Sequence, residues 1–393
     1  MTHADTAGPY RLQELLFPMA GRPGALYLSG TPAPQPSGSG WSCDAGAALS
    51  FDSFFNSLYP AFWHRNTGVR RFGLCLRGEG RVRLTLVHSR KGRHGKTLVD
   101  RTLDLATGAG ATVWLPDVPD QGRVHAHLAC QTRCRIDGLA FVTDRPPVRD
   151  VRLSLGLCTF NREARLADTI RAIARARPDL PALTDLVVVN QGEPFSDARL
   201  LGDLDKLGAQ VHRQPNLGGS GGFSRTLHEA LQAPSGPTHH LLMDDDILLD
   251  ARVIGRLTDA LGHTEPEVLL GGSMLETERP TLLYEAGARV LPKWDIDRIG
   301  EGLDMSEPGS TALFERAYRV DYNGWWFCAV PLSAVRLNGL PLPIFIHGDD
   351  IEYGCRMQAA GVRTAIHRGS RSGMTPLPAS RAPGSSITIS ATC

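Results

Sequence analysis

Hydrophobic and polar positions change rhythm partway along the chain. From about Arg11 to Thr143 the apolar residues come in short, roughly alternating segments, as in Arg81-Val82-Arg83-Leu84-Thr85-Leu86-Val87 and Ala111-Thr112-Val113-Trp114-Leu115, broken by Gly, Pro and Asp. Alternation with period two puts every second side chain on one face of a strand, so residues 1–147 are expected to form an N-terminal antiparallel β-sandwich domain. Asp144-Arg145-Pro146-Pro147 then stiffens the chain and removes backbone donors, which suits a domain junction.

Beyond the junction, strands and helices alternate. Val151 to Phe160 is an apolar strand, Leu166, Ile170 and Ile173 follow at helical spacing, and Leu186-Val187-Val188-Val189 is a second buried strand. Phe223 to Gln232 reads as a helix, His240-Leu241-Leu242-Met243 as a strand, Val253 to Leu261 as a helix and Val268-Leu269-Leu270 as a strand. This βαβ pattern predicts a Rossmann-like α/β domain over residues 148–367, with a mainly parallel sheet between helices. Ligands of such sheets gather at the carboxyl ends of the strands, so the chemistry is expected just after each one.

Composition sets outer limits. A chain of 393 residues exceeds what one core usually organises, which agrees with two domains. Lys+Arg 42 against Asp+Glu 41 leaves a formal charge of +1, too little for nucleic acid or an anionic membrane surface to be met by bulk electrostatics. The start, Met-Thr-His-Ala-Asp, carries no basic and apolar leader, and no run of about 18 apolar residues occurs, so the chain reads as cytoplasmic. The eight Cys are scattered, and the close pair Cys130 and Cys134 cannot alone complete a four-ligand zinc site, so packed thiols are expected.

Four segments that follow predicted strands hold the polar residues: Cys158-Thr159-Phe160-Asn161-Arg162, Asn190-Gln191-Gly192, Asn216-Leu217-Gly218-Gly219-Ser220-Gly221-Gly222 and Asp244-Asp245-Asp246. Each alone is an ordinary turn or a solvated loop. Together, at successive strand ends of one sheet, they suit a sugar-nucleotide. A departing diphosphate develops negative charge that a cation held by carboxylates can neutralise, and Asp244 and Asp246, one residue apart, could both aim at such an ion. Hard oxygen ligands favour Mg²⁺ or Mn²⁺. The glycine run lets backbone come close to a ligand, while Arg162 and Asn216 can donate to phosphate or base. Gly95-Lys96-Thr97 is not a P-loop, because Arg90 stands where the first glycine must be, and the glycine run lacks the dinucleotide spacing.

A second constellation, His347-Gly348-Asp349-Asp350-Ile351-Glu352, opens a probable helix. Capping accounts for one acid there but not for three. A carboxylate beside other acids can be raised toward the pKa of a general base for a sugar hydroxyl. Trp325 and Trp326 read first as core, yet sugars stack on aromatic faces and an acceptor-binding role stays open.

Cys-Thr-Phe-Asn-Arg, Asn-Gln-Gly, Gln-Pro-Asn-Leu-Gly-Gly-Ser-Gly-Gly-Phe, Met-Asp-Asp-Asp, Asn-Gly-Trp-Trp-Phe-Cys-Ala and Asp-Asp-Ile-Glu-Tyr-Gly occur here in the order found in the polymerising galactofuranosyltransferases of bacteria. Over residues 151 to 367 the chain resembles that group of family 2, GT-A type glycosyltransferases, and its β-rich N-terminal part resembles their sandwich domain. The resemblance implies an inverting transfer of galactofuranose from UDP-galactofuranose to a glycan or glycolipid acceptor in cell-surface polysaccharide synthesis. Carried over, Arg162, Gln191 and Asn216 would hold UDP, with Thr159, Gly218, Asp244 and Asp245 in the same cleft; Asp244 and Asp246 would bind Mg²⁺ or Mn²⁺. Asp350 would be the catalytic base with Asp349 in reserve, and Trp325 and Trp326 would meet the acceptor. Peripheral membrane association through the acceptor and a homo-oligomer are compatible with this; a nucleic-acid partner is not. Transfer of another sugar, such as rhamnose, and a truncated, non-catalytic carbohydrate-binding protein are the other readings.

The chain also departs from that family. His347-Gly348 replaces a Lys-Trp, and the stretch from Tyr284 to Ala288 lacks the family's His and Glu near the acceptor, which leaves acceptor and linkage open. From Arg368 onward the sequence is rich in Ser, Pro and Gly, so residues 368–393 are expected to be an unstructured tail. The tail reads as out of frame: codons for His367 to Cys393 can be chosen that, read two bases on, restore the Trp-His with which the family completes its metal site. Without that pair the ion would keep the aspartates and the diphosphate, unless His367 substitutes, and weak activity is expected.

Overall fold

The computed structural model describes residues 9–374 apart from Pro266 and Pro308, with side chains described except those of Trp294 and residues 368–374. Alternation in the first part becomes strands: β1 (Tyr10–Glu14), β2 (Ser29–Thr31), β3 (Gln35–Ser37), β4 (Gly40–Cys43), β5 (Ala48–Ser50), β6 (Gly73–Ser89), β7 (Lys96–Leu105), β8 (Gly110–Trp114), β9 (Arg123–Cys130) and β10 (Cys134–Thr143), with helix α1 (Pro60–Asn66) between β5 and β6. All pair antiparallel, in the order β2-β5-β9-β6-β10-β4-β3, with β1 on β10 and β7 and β8 on β6. The ladders form one connected network because the 17-residue β6 changes partners: its first half pairs with β8 and β10, its second with β7 and β9. Gly80, at φ 103°, stands at the handover, where the chain must bend. Leu74, Leu76, Val82, Leu84 and Leu86 of this strand are buried, as the alternation requires. Cys43, Cys130 and Cys134 are free, buried thiols, which agrees with ordinary packing.

The α/β domain contains β11 (Leu153–Thr159), α2 (Glu163–Ala176), β12 (Leu183–Asn190), α3 (Ala198–Lys206), β13 (Gln210–Arg213), α4 (Gly218–Gln232), β14 (His239–Asp244), α5 (Arg252–His263), β15 (Val268–Glu276), β16 (Leu283–Glu285), β17 (Ala288–Val290), β18 (Ile296–Arg298), β19 (Phe327–Pro331), α6 (Leu332–Asn338), α7 (Asp349–Ala359) and β20 (Arg363–Met374). The main sheet runs β13-β12-β11-β14-β19-β15-β16, with β20 beside β15. The first four strands are mutually parallel, and α2 buries Leu166, Ile170 and Ile173 as their spacing predicts. The sheet is mainly parallel, as expected, with two reversed strands: β19 enters antiparallel between β14 and β15, and β16 pairs antiparallel with β15. Helical periodicity reports which segments alternate, but not that a strand from much later in the chain is inserted between two of them.

Two other boundaries differ from expectation. The glycine run forms the first turns of α4, which begins at Gly218 rather than near Phe223. The backbone of β20 continues to Met374 and pairs in parallel with β15, so the ladder passes Arg368, where the tail was expected to start; residues 375–393 lie outside the described part.

α5 docks the α/β sheet against the N-terminal antiparallel sheet. Arg256, buried on α5, donates to the carbonyl of Phe55 at 2.7 Å, to Asn56 Oδ1 at 2.9 Å and to the carbonyl of Glu14. Arg11 pairs with Asp259 at 2.6 Å, and Arg252 donates to the carbonyl of Phe17 at 3.0 Å. Bonds from a buried guanidinium to fixed carbonyls demand one docking geometry, since a shift would leave that charge unsatisfied. No helix among the described residues is long and apolar enough to cross a membrane.

Candidate active site

Parallel strands β11, β12, β13 and β14 end on one edge, and the predicted polar segments follow them there. β19 delivers the rest. Because it runs antiparallel to β14, with Met243 opposite Phe327, the residues just before β19 lie at the carboxyl end of β14. The amide of Asp244 accordingly points to the carbonyl of Trp326 at 3.4 Å.

Asp244 and Asp246 are half-buried and Asp245 is buried at the end of β14. The carboxyl of Asp244 is raised to about 8, first by burial and then by the charges of Asp246 and Asp245, against the opposing charge of Arg162. Asp245 is raised to about 6, chiefly by burial, and is eased by the hydroxyl of the buried Thr159 at the end of β11; its Oδ2 has no hydrogen-bond partner. Arg162 reaches across from the start of α2 to Asp246 at 2.6 Å and lies 3.9 Å from Asp245. Three crowded carboxyls answered by one half-exposed guanidinium resist full ionisation, a cost that a divalent cation on Asp244 and Asp246 would relieve. No group of three or more His, Cys, Asp or Glu suited to a metal occurs among the described residues. His367 does not join the aspartates; its buried ring lies 5.1 Å from that of Phe62 and 5.9 Å from that of Trp63.

Gln191 behaves differently from its expected role. Its amide nitrogen donates to the carbonyl of Gly218 at 3.0 Å and contacts Cys158 Sγ at 3.2 Å, while its oxygen accepts from Gln214 at 3.0 Å and from the amide of Leu217 at 2.9 Å. Every polar atom of the side chain is thus spent on tying β12 to the glycine run. Asn216 is exposed and accepts from the amide of Gly218 at 3.0 Å, which leaves its amide nitrogen available. Beside these residues a cavity of about 470 Å³ opens past the ends of β11, β12 and β13, lined by Phe160, Asn161, Gln191, Glu193, Arg213 and Gln214 among others. Arg213 ends and Gln214 follows a four-residue strand, β13, that gave no apolar run to mark them.

The glycine run makes its close approach to the protein itself. Gly218 has φ 70°, and a Cβ there would stand 1.9 Å from the carbonyl oxygen of Phe345. The amide of Ser220 donates to the same carbonyl at 3.2 Å. A Cβ on Gly222 would meet Cys158 Sγ at 2.0 Å. The expected cradle for ligand is therefore a seat for residues 345–349, the segment that leads into α7. Phe345 and His347 in that segment also have positive φ, 68° and 63°, a strained conformation that only surrounding contacts sustain.

The two acids at the start of α7 face different neighbours. Asp349 lies beside Gly219 and acts electrostatically on Cys158; its own carboxyl is raised, mainly by burial. Asp350 is raised to about 7 by burial and by Asp349, and its charge acts on Asp244, Tyr284, Glu285, Tyr322 and Cys328. Asp350 thus sits on the side of the cleft that holds the β14 aspartates.

Trp325 is a core residue: its buried ring packs edge-on against Phe223 at 5.5 Å and Tyr353 at 5.9 Å, which removes it from the acceptor side. Trp326 is half-buried, stands edge-on to Tyr284 at 6.2 Å and has an unpartnered Nε1. Glu285, inside the stretch from Tyr284 to Ala288 where no acceptor-side Glu was expected, is a buried acid on β16 with an unpartnered Oε1 and Arg298 3.8 Å from its Oε2. It is raised to about 8, first by burial and then by the charge of Asp350, with Arg298 opposing. A lone Glu in a short strand carries no signal in sequence; only the β15–β16 pairing, with Glu285 opposite Met274, brings it there.

One edge of the α/β sheet thus gathers an aspartate cluster, a cavity of about 470 Å³ and a separate raised carboxyl, the kind of edge at which α/β proteins hold their ligands. The chain belongs to the family described as Glycosyltransferase like family 2, which matches residues 152–390. It is similar to galactofuranosyltransferase GlfT2 of Mycobacterium tuberculosis, 29% identical over 91% of this chain and 60% of the relative. It is also similar to galactofuranosyltransferase GlfT2 of Mycolicibacterium smegmatis, 28% identical over 82% of this chain and 53% of the relative. The chain thus spans a little over half the length of these curated relatives. Among solved structures, the mannosyltransferase PcManGT of Pyrobaculum calidifontis, in complex with GDP-Man and Mn²⁺, aligns with a TM-score of 0.42 and 14% identity over 60% of each chain.

Proposed function

We propose that this chain is an inverting GT-A type glycosyltransferase that moves galactofuranose from UDP-galactofuranose to a glycan or glycolipid acceptor in cell-surface polysaccharide synthesis. The observation that carries the reading is the placement of Asp350, raised to about 7, facing the Asp244 end of β14. A carboxyl in that range can hold or release a proton near neutrality.

The uridine is placed in the cavity past β11, β12 and β13, between Phe160, Asn161 and Arg213. Gln191 contributes by holding the glycine run, and Asn216 offers a free amide donor. Asp350 takes the proton from the acceptor hydroxyl as its oxygen bonds to the anomeric carbon; the bond from that carbon to the diphosphate breaks, and UDP leaves with the electron pair. Arg162, swinging from Asp246, stabilises the departing diphosphate. Mg²⁺ or Mn²⁺, held by Asp244 and Asp246, would supply further neutralisation of that charge. Trp326 and Tyr284 form the aromatic border offered to the acceptor, with Glu285 behind them. The N-terminal antiparallel domain is read as a β-sandwich folded about β6, and contact with a membrane is expected only through a glycolipid acceptor.

Release of UDP from UDP-galactofuranose, measured with and without a galactan acceptor, tests the reading. Acceptor-dependent release that Asp350→Asn abolishes supports it. No release from this donor, with release from another nucleotide sugar, would reassign the substrate; none from any donor would leave a carbohydrate-binding protein.

A further inference from the structure

Away from the candidate active site, a second cavity opens where the domains meet, between α1, residues 316–320 and the start of β20. Arg65, Arg316 and Arg363 all line it. None of the three makes a hydrogen bond or ion pair through its side chain with another described residue. Acids on the flanking segments are already engaged: Glu265, whose amide bonds the carbonyl of Asn66, is held by Arg145 at 2.5 Å, Glu315 by Arg123, and Asp321 by Arg319 at 2.6 Å. Phe62, Val320 and Ile366 form an apolar side of the same recess.

Three arginines that line one recess without a counter-charge among the described residues concentrate positive charge there, Arg65 and Arg316 exposed and Arg363 half-buried. Arg363 registers this: its pKa is lowered by burial and then by the charge of Arg65. An oxyanion would convert that repulsion into charge-assisted hydrogen bonds, and planar guanidinia match phosphate oxygens in pairs. Size narrows the ligand further. The cavity holds about 40 Å³, room for about three water-sized spheres, which is the scale of one phosphate group rather than of a nucleotide.

We propose that the junction cavity lined by Arg65, Arg316 and Arg363 is a binding site for a single phosphate-type oxyanion, separate from the donor site. The group arrives either as free phosphate or as the headgroup of a phosphate-bearing lipid, whose chains would leave along Phe62 and Val320. This inference does not depend on the sugar or the acceptor of the proposed transfer.

Inorganic phosphate is titrated into the full chain with UDP at saturation, so that the donor site is blocked, and binding is followed calorimetrically. The expected result is a single site that Arg65→Gln and Arg363→Gln each weaken roughly ten-fold, the loss of about one charge-assisted bond. UDP affinity should stay unchanged in both variants, which shows that they fold, and Arg101→Gln, at an exposed arginine on β7 that does not line the cavity, should bind phosphate normally. Flotation with phosphatidylcholine vesicles containing phosphatidic acid separates the sources: capture that the double variant loses assigns a lipid headgroup, and phosphate binding without capture assigns the free ion. Equal phosphate affinity in wild type and in the folded double variant overturns the proposal.

Discussion

Arg162 donates to Asp246 at 2.6 Å, so the side chain expected to meet the diphosphate is bound to one expected to meet the metal. The pair neutralises one carboxylate of the cluster, and a donor and a cation that use these two side chains must separate it. Arg162→Gln is therefore expected to change two affinities in opposite directions. UDP should bind about ten-fold more weakly, while Mn²⁺ should bind the UDP-free protein several-fold more tightly, because Asp246 is released and the local positive charge is gone. Titration of Mn²⁺ followed by electron paramagnetic resonance reads the second effect; weaker Mn²⁺ binding in the variant would contradict this account.

Asp350 and Asp349 are neighbours in sequence but not in surroundings, and their variants should differ. Asp350→Asn is expected to lower kcat by about 10²–10⁴-fold with UDP affinity unchanged, as loss of a general base does. Asp349→Asn, beside Gly219, should cost less in kcat and should disturb the glycine run instead. A base works only when deprotonated. With Asp350 raised to about 7, kcat should fall about ten-fold per pH unit below that value and level off above it. An acid limb near pH 4 in the wild type would assign the base elsewhere.

Glu285 gives a stability prediction with a definite sign. Its folded pKa, about 8, lies above the 4.5 of a free Glu, because burial and the charge of Asp350 oppose ionisation. Between those values the folded state keeps a proton that the unfolded state releases, so stability falls as pH rises from about 4.5 to about 8 and is flat in this respect beyond. Glu285→Gln removes that loss. The variant should melt higher than wild type at pH 9, by roughly 2–4 kcal/mol of stabilisation, and near wild type at pH 5. A gain that is the same at both pH values would show that charge is not its cause.

The contrast between Glu285 and Asp244 shows what the sequence could reveal. Asp244 follows an apolar strand in a βαβ run, and parallel topology alone sends such a residue to the binding edge. Thr159, Arg162 and Asn216 were legible for the same reason. Glu285 reaches the cleft through a hairpin whose register no periodicity encodes, and β19 enters the sheet from a segment far along the chain. Trp325 and Trp326 were indistinguishable as letters. Successive residues before a strand point to opposite sides, so one ring entered the core with Phe223 and the other bordered Tyr284. The glycines were legible as sites of close approach, but not what approaches them: Phe345 lies 127 positions beyond Gly218 (345 minus 218) in the sequence.

That approach supplies the last prediction, made on two glycines that share a backbone conformation and differ in surroundings. Gly218 and Gly361 have φ 70° and 87°, so alanine strains the backbone at either by about 1–2 kcal/mol. At Gly361 a Cβ would meet nothing within 4 Å, and strain is the whole cost. At Gly218 it would stand 1.9 Å from the carbonyl oxygen of Phe345, so the segment carrying Asp349 and Asp350 must move. The same movement breaks the bond from the amide of Ser220 to that carbonyl and loosens the carbonyl of Gly218 from Gln191. Gly361→Ala is thus expected to lower the melting temperature by a few degrees and to keep kcat. Gly218→Ala should lose more stability and, in addition, about 10²-fold in kcat, because a base displaced by an ångström no longer reaches its proton. Turnover and melting are measured on both variants under the conditions used for wild type. If Gly218→Ala retains kcat while its melting temperature falls as far as that of Gly361→Ala, the glycine run does not position the acids, and residues 345–349 are seated by other contacts.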